Sequence, residues 1–137
     1  FALVALLAVA GCGGSSGGRD FPRAATAVCE RTNQEIRTLG SPESFPETQL
    51  FARRAKDAVR DEIAALEKLD PPAEDADAVD VYLETLRERE RLLANLAEAA
   101  DATSMNDVRE VGSQIAALDI TAREQATAAG IAACEPK

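Results

Sequence analysis

Apolar residues recur at spacings of three and four through most of this chain, and three breaks divide the pattern into four amphipathic stretches. The first is expected to be a helix over 22–39, with Ala25, Val28, Thr32, Ile36 and Leu39 on one stripe and Pro22 in its first turn. Gly40-Ser41-Pro42 then stops it. A second helix is expected over 45–69. Ser44 and Glu47 have capping-box spacing before it, and its stripe is Phe51, Ala55, Ala58, Val59, Ile63, Leu66 and Leu69.

Asp70-Pro71-Pro72 forms the second break, because a residue before proline is pushed out of helical geometry. Asp70 is also a suitable N-cap for a third helix over 73–102, with its stripe on Ala76, Val79, Leu83, Leu86, Leu93, Ala97 and Ala100. Glu90 interrupts that stripe, and Arg87-Glu88-Arg89-Glu90-Arg91 reads as a mixed-charge, solvated surface. The fourth helix is expected over 105–133. Ser104 and Asp107 open it, and Val108, Val111, Ile115, Leu118, Ala122, Ala126 and Ala129 form its stripe. Gly112 and Gly130 lower its helix propensity and suggest close backbone approach.

Four amphipathic helices joined by short loops predict an all-α fold, an antiparallel up-down-up-down four-helix bundle over 22–137. Hydrophobic residues make up 46 % of the 137 residues, enough for one core. Much of that is alanine, and aromatic residues are 4 %, which favours closely packed helices.

A different pattern precedes the helices. Phe1 to Ala10 is a continuous apolar run, followed by Gly11-Cys12 and then Gly13-Gly14-Ser15-Ser16-Gly17-Gly18. The run is short of the roughly 20 residues a membrane span needs. It has the apolar core and small-residue cleavage side of a secretory signal. Val9-Ala10-Gly11-Cys12 resembles, position by position, the lipobox of bacterial lipoproteins. That resemblance implies a diacylglycerol on the Cys12 thiol and cleavage between Gly11 and Cys12. The expected organisation is a signal over 1–11, a lipidated cysteine with a flexible Gly/Ser linker over 12–21, and the bundle beyond. The chain opens at Phe1 with no Met and no basic segment before the run, so the signal is read as N-terminally truncated. The expected location is the extracytoplasmic face of the cell membrane, with the membrane held as a partner through the lipid.

With Cys12 assigned to lipid, Cys29 and Cys134 remain as an even pair in an exported protein, which reads as one disulfide. The alternative is two free buried thiols. In the expected topology Cys29 lies low in the first helix and the fourth helix descends to Cys134, so both reach the same end of the bundle. Lipobox, linker, early-helix Cys29, Leu66-Glu67-Lys68-Leu69-Asp70-Pro71-Pro72 and the terminal Gly130-Ile131-Ala132-Ala133-Cys134 together resemble the small helical-bundle lipoproteins of actinobacteria. That resemblance implies a location and a fold, not an activity.

Net charge is −9 with no basic patch, so nucleic acid is not an expected partner. The chain has no histidine, which removes the commonest general base and metal ligand. Ser-His-Asp and Cys-His centres and His-containing di-iron sites are thereby excluded. Glu74, Asp75, Asp77 and Asp80 cluster at the start of the third helix, where they suit the helix dipole. As a calcium loop they fail, because Asp80 stands where glycine is needed and Leu86 where a bidentate glutamate is needed. No metal, cofactor or enzymatic activity is expected. Two functions remain. The leading one is an interaction or structural module meeting an envelope protein or its own copies. The second is a ligand carrier or sensor with an apolar cavity around Phe51, Tyr82, Leu86 and Leu93, and a pocket of several hundred Å³ in the core would reverse that order.

Overall fold

Serines at two of the breaks start two helices. Ser44, in extended backbone, accepts a hydrogen bond at its Oγ from the Glu47 N–H, while the Glu47 carboxylate accepts one from the Glu43 N–H at 2.8 Å. Ser104 caps its helix in the same way, accepting from the Asp107 N–H. Each cap satisfies an amide that the first turn leaves without an intrahelical partner.

The computed structural model describes residues 17–135, with side chains from Asp20 onward. Among these residues the elements are α1 (Gly17–Thr38), α2 (Phe45–Leu66), α3 (Ala76–Asp101), α4 (Met105–Ala128) and a short 3-10 turn, Ala132–Cys134. α1 packs on α2, α2 on α3 and α3 on α4, each antiparallel to the next. The fold is therefore the all-α four-helix bundle that the periodicity predicts. None of the described helices is long and apolar enough to cross a membrane.

Four boundaries differ from expectation by more than one residue. α1 begins at Gly17, five residues before Pro22, so the last part of the expected linker is helical. Phe21 explains the extension. It is almost completely buried in the core and holds this segment against the bundle. α2 ends at Leu66, and Glu67–Leu69 form a hydrogen-bonded turn instead of a further helical turn. α3 starts at Ala76, not 73, and Asp70 does not cap it. Two consecutive prolines bring no N–H, and a turn from Pro72 to Asp75 must close before helical bonds can begin.

The fourth correction concerns Gly130. α4 ends at Ala128, and Gly130 lies beyond it in left-handed backbone with φ +70°. The Ile131 N–H donates to the Ala126 carbonyl at 2.9 Å and the Gly130 N–H to Thr127 at 3.1 Å. This is a Schellman motif, which needs a residue free to adopt positive φ. Gly130 therefore turns the chain instead of extending the helix, and delivers Ile131 and Cys134 back into the core.

The bundle has two unlike ends. At one lie the start of α1, the end of α4 and the Ala132–Cys134 turn, which is inserted between α1 and α4. Phe21, Ala25, Cys29, Tyr82, Ala126, Ala129, Ile131 and Cys134 are all buried there. At the other end are the α1–α2 and α3–α4 loops. No described Cα of α1 comes within 8 Å of one in α4. Without a wedge between them there, Ile36, Leu39, Val108, Val111 and Ile115 remain half-buried.

Candidate functional site

Between these ends the antiparallel register brings one polar side chain from each helix to the same level: Thr32 of α1, Glu62 of α2, Arg89 of α3 and Asp119 of α4. Glu62 is only 4 % exposed and Arg89 9 %. The Arg89 Nε and the Asp119 Oδ1 lie 2.9 Å apart, and both atoms are shielded from solvent. The pair is a close ionic contact without the alignment of a good hydrogen bond. The guanidinium has four further N–H donors beyond the one on Nε that faces Asp119.

Burial dominates the acid–base behaviour of this layer. It pushes the Glu62 carboxyl up from 4.5 to about 7, against the lowering effect of the Arg89 charge and of the Thr32 hydroxyl beside it. Asp119 is also raised, chiefly by burial, with Arg89 and Arg123 holding it back. Tyr82 is raised by its own burial and then by the Glu62 charge. Its hydroxyl donates to the Cys134 carbonyl at 3.0 Å, which ties α3 to the terminal turn.

On the loop side of the layer is a cavity of about 270 Å³. Arg89 and Asp119 form its polar wall. Phe51, Leu93, Leu96 and Ile115 are the main apolar ones, and Ile36 closes it from α1. Gly112 also lines it, and a Cβ built there would meet nothing within 4 Å. The close backbone approach expected at Gly112 is thus absent, and the glycine adds open space. A second cavity, of about 360 Å³, lies beyond Phe51, between the end of α1 and the first turns of α2.

Of the four side chains expected around a cavity, Phe51 and Leu93 line it. Tyr82 and Leu86 instead belong to the close-packed core, both almost fully buried. Cys29 and Cys134 are joined as a disulfide with a Cα–Cα distance of 4.9 Å. Nearby, the Asn33 side-chain amide donates to the Glu135 carbonyl at 3.0 Å and reinforces the same junction. Gly11 and Cys12, the expected cleavage and lipidation residues, lie outside the described residues. Glu74, Asp77 and Asp80 are exposed, and no three potential metal ligands converge among the described residues.

The polar layer itself was not anticipated, and Arg89 corrects the reading of 87–91 as uniformly solvated. A signal was present. Arg89 follows Leu86 by three and precedes Leu93 by four. Glu62 stands three after Val59 and four before Leu66, and Asp119 four after Ile115 and three before Ala122. A charged residue thus occupies a stripe position on three helices.

Comparison with known protein families, curated proteins and solved structures finds no match to this chain.

Proposed function

We propose that this protein is a lipid-anchored bundle at the extracytoplasmic face of the membrane that holds a small ligand between its helices. The ligand reading is carried by one observation: an open, mainly apolar cavity in the core with a buried, incompletely satisfied ion pair in its wall. Its 270 Å³ exceeds the roughly 150 Å³ that accommodates benzene and lies just below the usual range for larger organic ligands. A few directed polar groups in an apolar pocket are what fix a ligand's orientation.

The interaction-module reading becomes the second. Its support is the exposure of Leu50, Val81, Met105 and Ile120. These stand on three different helices, and scattered apolar residues are ordinary on a protein surface. The anchoring proposal rests on the lipobox resemblance at Cys12. Because α1 begins at the disulfide end, a tether there would leave the cavity end distal to the membrane.

Native mass spectrometry of the protein taken from its own membrane in mild detergent tests both parts. One small molecule retained per chain is the expected result. A second polypeptide or a homo-oligomer with an empty core would restore the interaction module. An acyl mass on Cys12, and release of a Cys12→Ser variant into the soluble fraction, test the anchor separately.

A further inference from the structure

The polar wall of the cavity points to the chemistry of its ligand. The Arg89 guanidinium is nine-tenths buried, lines the cavity, and engages Asp119 only through a misaligned contact at one edge. The Nε faces Asp119, which leaves the Nη groups to donate to the oxygens of a bound anion, in the paired geometry that guanidinium and carboxylate favour. Building on the ligand-holding role, we propose that the cavity takes a small molecule with a monocarboxylate head and a compact apolar body, the head seated on Arg89.

The surroundings select this class. Phe51, Leu93, Leu96 and Ile115 offer apolar contact and no matching charge, so the body of the ligand is hydrocarbon. An amine head would meet the Arg89 charge in the same wall as the Asp119 carboxylate, which already has Arg89 as its counter-ion. A dianion such as phosphate would carry about twice the repulsion from Asp119 that a monocarboxylate meets. The net charge of −9 disfavours approach from a distance, but ionic screening confines that effect to about 8–10 Å at ordinary salt. Gly112 bears on the room for the body of the ligand. It costs helix stability where no neighbour demands a glycine, and its missing side chain leaves the cavity its width.

The same layer makes binding depend on pH. A carboxylate entering the site faces Arg89 from α3 and Asp119 from α4 in the cavity wall, and behind these two lie Thr32 of α1, Glu62 of α2, Tyr82 of α3 and Arg123 of α4, coupled to them through their charges and hydrogen bonds. Of the two carboxyls already present, Glu62 changes charge near pH 7. An anionic ligand binds best when Glu62 is protonated, so affinity falls as pH rises through 7.

The test is calorimetric titration of the intact, disulfide-bonded chain with hexanoate, hexan-1-ol and hexylamine at pH 6 and pH 8. Hexanoate is expected to bind about tenfold or more tightly than hexan-1-ol at pH 6, as charge-assisted bonds to Arg89 imply. That advantage should shrink at pH 8. In Arg89→Met the hexanoate advantage should vanish while hexan-1-ol still binds, and in Gly112→Leu all binding should be lost. The unmodified protein already decides the case if Arg89→Met does not fold. Equal affinity for hexanoate and hexan-1-ol, or preference for hexylamine, would overturn the carboxylate assignment and leave the ligand-holding role standing. No binding of any probe would overturn both, and hexanoate binding retained in Gly112→Leu would place the site elsewhere.

Discussion

The two ends of this bundle are built from the same helices yet differ in how completely they are filled. At the disulfide end a terminal turn wedges between α1 and α4, and Phe21, Cys29, Leu66, Tyr82, Ile131 and Cys134 are buried there. At the loop end nothing fills that gap, and α4 contributes no fully buried residue before Ala122. The layer of Thr32, Glu62, Arg89 and Asp119 marks the change. Amphipathic periodicity alone therefore does not close a bundle. A helix with small or half-covered stripe residues needs a neighbour on both flanks, and α4 has two only where the chain folds back on itself.

The largest expected effect concerns the wedge. Replacing both Cys29 and Cys134 by serine releases a loop spanning 105 residues of sequence, and chain entropy sets the loss at about 4–5 kcal/mol. Urea unfolding of the oxidised protein and the double variant measures it. A loss below about 2 kcal/mol would mean that Phe21 and Ile131, not the covalent bond, hold that end together.

Packing should differ in the same sense. Leu86→Ala, in the dense core, is expected to cost about 2–5 kcal/mol, whereas Ile115→Ala at the half-exposed cavity wall should cost about 1 kcal/mol. Equal costs from thermal unfolding would remove the distinction between the ends.

Glu62 sits at the boundary, and its effect has a defined sign. Its folded pKa, about 7, lies above the ordinary 4.5, so the folded state binds the extra proton. Stability from this group is full below about pH 4.5, falls as pH rises to about 7, and is level above. The shift corresponds to at most about 3 kcal/mol. Asp119, also raised, acts in the same direction. Glu62→Gln should flatten the decline between pH 5 and 7 and be the more stable protein at pH 8. Parallel stability curves for the two proteins would show that Glu62 is solvated in solution.

The smallest effect sets one glycine from each end against the other. Gly112→Ala should stabilise by up to about 1 kcal/mol, because its space is empty and alanine favours the helix. Gly130→Ala should destabilise by about 1 kcal/mol or more, because φ +70° strains any residue with a Cβ. Matching signs in a thermal melt would contradict the different roles assigned to the two positions.

How much of this was legible beforehand follows from range. Ser44 and Ser104 cap as expected because a cap is settled within four residues. The stripes on α2 and α3 found their core because each helix has a long partner surface. Gly130 was misread because one glycine can sit within a helix or just past it, and only the return of Ile131 to the core decides which. Arg89 was misread because a charge on a stripe looks like an interruption until Asp119 is seen opposite it.

Helix content, helix order and the short loops follow from spacing along one chain, because periodicity reports which face a helix must cover. The up-down order brings Cys29 and Cys134 to one end, and the tertiary structure joins them as a disulfide rather than leaving two free thiols. The polar layer, the shifted acidity of Glu62 and the open cavity arise from groups on different helices brought to one level. Their energies depend on burial and on charges across the bundle, quantities that no single stretch of the chain contains.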